Sequence, residues 1–180
     1  HCVISNGSCT TNSLVPALSV LLEHYGIETA SATTIHAYTS SQGLVDVASR
    51  KRIRGRAAAV NLVPTSTGAD KVVTAVLPEL AGKFCALAVR APIPDGGLTD
   101  MTVRLQQAVT EAQINQCLAD ACQDKLKGVM DFTQQEWVSS DIIGNPHSAI
   151  VHGLSTRVIG DRTVKIQVWY DNEYAYACRL

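Results

Sequence analysis

Ser5-Asn6-Gly7-Ser8-Cys9-Thr10-Thr11-Asn12 runs directly into Ser13-Leu14-Val15-Pro16-Ala17-Leu18-Ser19-Val20-Leu21-Leu22. The first stretch is small and polar; the second is apolar and reads as a helix. With Val3-Ile4-Ser5 as the end of a strand, Cys9 falls where strand gives way to a helix N-terminus. Unsatisfied N–H groups and the helix dipole at that place favour a thiolate over a thiol. Downstream, Thr33-Thr34-Ile35-His36-Ala37-Tyr38-Thr39 offers a histidine at the end of a β-like run. An imidazole beside a thiol raises the thiolate fraction and can take its proton during attack on a carbonyl.

Outward from this junction, the first helix is expected from Thr10 to His24, ending at Gly26 as an αL terminator. Ile27 to Tyr38 alternates and is rich in Thr and Ile, which predicts a strand. Thr39 to Val63 has no sustained period and carries Arg50-Lys51-Arg52-Ile53-Arg54-Gly55-Arg56; a loop of that length is more often functional than idle. Thr67-Gly68-Ala69-Asp70 opens a second helix reaching about Leu80. Phe84 to Ala91 and Thr99 to Leu105 read as strands joined by the turn signal Pro92-Ile93-Pro94-Asp95-Gly96-Gly97. Thr110 is an N-cap for a helix from Glu111 to Lys125. Further strands are expected around Trp137 to Ser139, Ser155 to Ile159 and Thr163 to Trp169. The pattern predicts an α+β fold: a mixed, mostly antiparallel sheet with helices on one face.

The 180 residues suffice for one domain with a real core. A formal charge of -1 argues against nucleic acid or a membrane surface as partner. No apolar run approaches a membrane span, and no signal-peptide pattern is present. The six cysteines (Cys2, Cys9, Cys85, Cys117, Cys122, Cys178) are scattered, which suits a reducing cytoplasm rather than a disulfide scaffold. The chain begins at His1 without methionine and reads as a piece of a longer protein.

Several residues carry chemistry beyond the Cys9–His36 pair. Ser8, Thr10, Thr11 and Asn12 form a polar shell whose backbone N–H groups suit an oxyanion or phosphate. Pro64-Thr65-Ser66-Thr67-Gly68 ahead of a helix is explained locally by N-capping; anion binding is the functional alternative. Arg54 and Arg56 read by default as a solvated basic face. Arg90, inside the apolar strand Ala86-Leu87-Ala88-Val89-Arg90-Ala91, needs a partner, and a bound phosphate would supply one. Cys117 and Cys122 do not share a helix face, and His147 and His152 are separated by a turn, so no metal site is expected. No Gly-x-Ser-x-Gly signature appears. In Trp169-Tyr170-Asp171-Asn172-Glu173-Tyr174, Asn172 either satisfies backbone groups or hydrogen-bonds a planar ligand amide.

Ser8-Cys9-Thr10-Thr11-Asn12, Thr34-Ile35-His36-Ala37-Tyr38-Thr39, Arg56-Ala57-Ala58-Ala59, Pro64-Thr65-Ser66-Thr67-Gly68-Ala69 and Trp169-Tyr170-Asp171-Asn172-Glu173 occur in the order and spacing of one family. Over essentially its whole length the chain resembles the C-terminal catalytic domain of phosphorylating glyceraldehyde-3-phosphate dehydrogenases. The resemblance implies that Cys9 attacks the aldehyde of glyceraldehyde 3-phosphate, with His36 as base. It implies hydride transfer to NAD or NADP and a thioester cleaved by inorganic phosphate. It maps the attacking phosphate to Ser8, Thr10, Thr67 and Gly68, the substrate phosphate to Thr39 and Arg90, and Arg54 between the two. Asn172 would orient the nicotinamide carboxamide, with Tyr176 near it. The loop from Thr39 to Val63 would reach a neighbouring subunit of a tetramer.

The chain departs from the family pattern at Ser13, at Ser41 where an Asp is frequent, at Val47-Ala48 where NAD-specific members carry Leu-Pro, and at Ala175 where Gly is usual. The Val47-Ala48 pair resembles members able to use NADP. No Gly-x-Gly-x-x-Gly occurs, so residues 1–180 are expected to be the catalytic domain alone, with the dinucleotide-binding domain elsewhere. Erythrose-4-phosphate dehydrogenases share the Cys, His and Asn-Glu motifs but usually lack the Tyr38-Thr39 pair. A non-catalytic paralogue acting as an interaction module is opposed by the intact Cys9, His36 and Arg90.

Overall fold

In the computed structural model, which describes residues 4–180, the Cys9 junction is a loop followed by α1 (Cys9–Tyr25). The expected strand end begins on Val3, which with His1 and Cys2 lies outside the described residues; Ile4 and Ser5 are not in a strand. Gly26 closes α1 with its N–H on the Leu22 carbonyl and a φ of +65°. Its ψ of 150° is not the expected αL value; it turns the chain straight into β1 (Ile27–Ala37). The long loop holds one short 3-10 turn, Arg52–Gly55.

The remaining elements are β2 (Val63–Thr65), α2 (Ala69–Val76), β3 (Phe84–Ala91), β4 (Gly97–Leu105), α3 (Glu111–Gln123), β5 (Met130–Thr133), β6 (Ala149–His152), β7 (Arg157–Ile159), β8 (Thr163–Tyr170) and α4 (Tyr174–Ala177). They build one mixed sheet in the order β2-β3-β1-β4-β8-β6-β5, with β7 paired to β8. Only β1–β3 and β5–β6 run parallel. The fold is the α+β, mostly antiparallel architecture that the sequence predicts.

Alternation decides which face is buried. Ala30 and Ala32 on β1, Met101 and Val103 on β4, and Val164, Ile166 and Val168 on β8 point one way and meet Leu14, Leu18 and Leu21 of α1, Val73 of α2, and Ile114 and Leu118 of α3 in a single core. On the opposite face Ser31, Leu87 and Arg104 are exposed. The small Ala30 and Ala32 leave room for the helices above the central strand. α3 is held at its start by a reciprocal pair: Thr110 Oγ1 accepts from the Gln113 N–H, and Gln113 Oε1 accepts from the Thr110 N–H. No helix among the described residues is long and apolar enough to cross a membrane.

Three local expectations are corrected. β3 and β4 are not a hairpin, because β1 lies between them, parallel to β3 and antiparallel to β4. The second helix stops at Val76: Pro78 excludes helical geometry at Leu77, and Pro78–Leu80 forms a separate 3-10 turn. Trp137 to Ser139 is not a strand; the Val138 N–H is taken by Asp141 Oδ2 at 2.8 Å in a polar turn. The strands that do lie in this region, β5 and β6, are four residues each and carry no sustained alternation.

Candidate active site

Ser8 Oγ accepts from the Thr11 N–H at 3.0 Å, and this cap makes Cys9 the first residue of α1. His36 sits at the end of β1 on the stripe that, a few residues earlier, carries Ala30 and Ala32 into the core. The helix packed on that face therefore brings thiol to ring: Cys9 Sγ and His36 Nε2 are 3.3 Å apart. Thr10, Thr11 and His36 are buried, Cys9 half-buried.

Parallel pairing sets Arg90 of β3 beside His36. Arg90 Nη1 lies 2.9 Å from His36 Nδ1 and donates to the Ala37 carbonyl at 2.7 Å. The same carbonyl is 2.7 Å from Nδ1. Nδ1 thus has a donor and an acceptor within reach, so either tautomer is accommodated, which a group that takes and returns a proton requires.

Burial is the main influence on both groups. It pulls His36 down to about 4, reinforced by the Arg90 and Arg54 charges and opposed by the Ala37 carbonyl. Burial also pushes the Cys9 thiol up, outweighing hydrogen bonds from Thr10 and its own N–H and the charge of Arg90. The helix terminus acts in the expected direction, but burial outweighs it.

Beside the pair lies a cleft of about 610 Å³ lined by Ser8, Thr10, His36, Arg54, Thr67, Gly68 and Arg90, all singled out from the sequence, and by Lys51, Ser66 and Lys71. The first turn of α2 forms one wall, and Gly68 caps it without a side chain. Arg54 is held across the cleft by Nε donating to Thr65 Oγ1 at 3.0 Å and Nη1 to Ser41 Oγ at 3.2 Å. None of the ion pairs among the described residues involves Arg54, Arg90, Lys51 or Lys71. Asp70 also lines the cleft, and its Oδ1 accepts from the Lys71 N–H. Two arginines and two lysines against this one carboxylate leave the cleft with an excess of positive charge, which suits an anion.

Thr39 does not line this cleft. Its Oγ1 meets Ser41 Oγ at 3.0 Å, so Ser41, flagged as a departure, links Thr39 to Arg54. Asn172 and Tyr176 stand apart from the anion cleft. Asn172 is buried, with Oδ1 accepting from the Gly96 N–H at 2.8 Å and Nδ2 donating to Glu173 Oε1 at 2.9 Å. Tyr176 is tied to the loop before Cys9, its carbonyl accepting from Asn6 Nδ2 at 2.7 Å.

Sequence reasoning missed Tyr170 and Thr34. Tyr170 Oη is 2.6 Å from Thr34 Oγ1 and 3.3 Å from Thr10 Oγ1, and its ring meets that of His36 edge-on at 5.9 Å. The signal was the parity of β1, which puts Thr34 on the same stripe as His36. Lys51 and Ser66 were visible only as members of a basic run and a capping stretch.

A family model, the glyceraldehyde 3-phosphate dehydrogenase C-terminal domain, matches residues 8–172. Among curated proteins, the chain is 44% identical over 180 residues to glyceraldehyde-3-phosphate dehydrogenase 2 of Bacillus subtilis, covering 100% of this chain and 53% of that protein. It is 48% identical over 178 residues to a glyceraldehyde-3-phosphate dehydrogenase of Haloarcula vallismortis, covering 99% of this chain and 53% of that protein. For the Borreliella burgdorferi glyceraldehyde-3-phosphate dehydrogenase the figures are 48% over 179 residues, 98% and 53%. The chain spans about half the length of the curated relatives it matches. By residues, fold and relatives alike, it belongs to the glyceraldehyde-3-phosphate dehydrogenase family, of which it carries the C-terminal domain.

Proposed function

We propose that this chain is the catalytic half of a phosphorylating glyceraldehyde-3-phosphate dehydrogenase, in which Cys9 is the nucleophile and His36 its proton carrier. The observation that carries the reading is the 3.3 Å approach of Cys9 Sγ to His36 Nε2, where His36 lines a cleft whose arginines have no carboxylate partner. His36 takes the thiol proton at Nε2 as Sγ adds to the aldehyde carbon, and returns it to the oxyanion, giving a thiohemiacetal. When bound, an oxidised nicotinamide accepts the hydride of that carbon. As the hydride departs, His36 removes the hydroxyl proton and a thioester forms. An oxygen of inorganic phosphate then attacks the carbonyl carbon, the C–S bond breaks, and an acyl phosphate is released; the sulfur leaves as thiolate and recovers its proton from His36.

On this reading the attacking phosphate falls to Ser8, Thr10, Thr67 and Gly68 and the phosphate of the substrate to Thr39 and Arg90, with Arg54, which Ser41 links to Thr39, between the two. Asn172 fits one task toward the cofactor: its Oδ1 is pinned by the Gly96 N–H, one N–H goes to Glu173, and the second N–H is left for a planar carboxamide. The cofactor is NAD or NADP, held mainly by a dinucleotide-binding domain outside these residues; Val47-Ala48 favours tolerance of NADP. Leu44, Val45, Val47, Val60 and Leu62 are exposed along the long loop, which supports its packing on another subunit of a homo-oligomer, read as a tetramer. The five described cysteines are free thiols, in keeping with a cytoplasmic enzyme.

The test is phosphate-dependent reduction of NAD and NADP by glyceraldehyde 3-phosphate in the full-length protein that contains this chain. Activity is expected with wild type and absent with Cys9→Ser. Activity that survives the substitution overturns the thiol mechanism, and a preference for erythrose 4-phosphate reassigns the substrate.

A further inference from the structure

Three cations of the anion cleft are held in place by neutral groups. Arg90 meets His36 Nδ1 and the Ala37 carbonyl, Arg54 donates to Thr65 Oγ1 and Ser41 Oγ, and Lys51 Nζ donates to Ser66 Oγ at 3.3 Å. Away from the cleft, cations pair with acids: Arg56 with Asp46, Arg104 with Glu28, Lys165 with Asp100. A hydroxyl fixes a cation without neutralising it, so the charge stays available to a ligand. Arg90 and Arg54 have tasks in the proposed reaction; Lys51 has none.

Lys51 stands at the head of the 3-10 turn Arg52–Gly55, and the Arg54 N–H donates to its carbonyl at 2.8 Å, so one turn presents both cations. Arg54 Nη1 reaches Ser41 and, through it, Thr39. Lys51 reaches Ser66, the residue before Thr67 and Gly68 at the entry to α2, and all four line the cleft. An ammonium has three N–H groups; Ser66 takes one, and two are left for a ligand beside Thr67 and Gly68. Arg50 and Arg52 flank Lys51 and are exposed, yet neither lines the cleft. Of these three consecutive cations, the lysine turns inward.

We infer that Lys51 is a binding residue for the inorganic phosphate that cleaves the thioester, and that Ser66 is the positioning residue that holds the ammonium over Thr67 and Gly68. The inference rests on the proposed reaction, in which inorganic phosphate is the acyl acceptor. Lys51 acts on the acceptor's side of the cleft, so its signature is the affinity for phosphate and not that for the aldehyde.

The experiment is steady-state kinetics on the full-length protein, varying inorganic phosphate at saturating glyceraldehyde 3-phosphate and then the reverse. Lys51→Ala is expected to raise KM for phosphate about 10-fold, the loss of one charge-assisted hydrogen bond at an exposed site. The same variant is expected to move KM for the aldehyde by less than about twofold. Lys51→Arg is expected to keep KM for phosphate within about threefold of wild type, because the charge and donors remain. Arg52→Ala removes an equal charge from the same turn and is expected to change neither constant, which separates a contact from the general field of the cleft. Ser66→Ala is expected to raise KM for phosphate about 2–3-fold, and to add nothing in the Lys51→Ala background, since the serine acts through the lysine. A wild-type KM for phosphate in Lys51→Ala overturns the inference, as does an equal rise in the aldehyde constant or an equal effect of Arg52→Ala. A Ser66→Ala effect that keeps its full size without the lysine overturns the positioning role. Reduction of NAD or NADP by the wild-type protein that does not depend on phosphate overturns the proposed reaction itself, and is read before any variant is compared.

Discussion

Gly97 on β4 lies directly opposite Tyr170 on β8, and a Cβ on that glycine would stand 2.5 Å from the tyrosine Cζ. The ring lies across the glycine to reach Thr34, Thr10 and His36, and only the absence of a side chain permits it. Gly97→Ala is therefore expected to push the ring off its site and destabilise the fold by about 1–3 kcal/mol. A lower denaturation midpoint with slower Cys9 alkylation checks this; an unchanged midpoint means that the ring has another place to rest.

His36 is buried as a neutral ring at about 4, below the roughly 6.5 of an unfolded histidine. Between those values the unfolded chain binds the extra proton. The stabilisation is therefore complete above about pH 6.5 and lost as pH falls toward 4, an effect on the order of 3 kcal/mol at most. Urea midpoints across this window are expected to fall with acidification, and His36→Gln is expected to flatten that slope by about one proton.

Asp95 shows the opposite sign. Burial first, then the charges of Asp171 and Glu173, raise its carboxyl above the ordinary value. Its ionised form is a liability above that raised value and none below an unfolded carboxylate's pKa. Asp95→Asn is expected to raise the melting temperature at pH 7 by roughly 2 °C. The gain should shrink toward zero near pH 4, and a loss at pH 7 would contradict it.

Arg90 holds both His36 Nδ1 and the Ala37 carbonyl with one nitrogen and has a buried Nε without a partner. Arg90→Met in the full-length protein is expected to lower kcat/KM for the phosphorylated aldehyde about 100-fold. Arg90→Lys is expected to recover little of it, because an ammonium lacks the planar fork. Steady-state kinetics with both variants measure it.

Most of the helices and the two long central strands were legible in the sequence, and the reasons are local. Ser8 and Thr110 cap, Gly26 terminates, and β1 and β4 alternate over many residues. What was lost depends on distant partners. Nothing between Ala91 and Gly97 says that β1 comes to lie between the two strands they end. β5 and β6 are too short for a period to emerge. At the site, Cys9, His36 and Arg90 stood out by chemistry. Tyr170 did not, because its role arises from a cross-strand glycine and from hydroxyls far away in sequence. The burial that opposes a thiolate at Cys9 escaped the sequence for a related reason: a helix terminus can be read from residues 8–12, but the depth of burial cannot.

The row Arg90, His36, Gly97, Tyr170 crosses four neighbouring strands at matched positions. Side chains alternate, so a one-residue slip in any of those pairings would turn a member of the row to the opposite face. A misaligned sheet could remain compact and well hydrogen-bonded, yet it would be chemically silent. Reactivity at Cys9 thus doubles as proofreading of the sheet: a molecule in which the thiol, the ring and the guanidinium meet has aligned all four strands correctly.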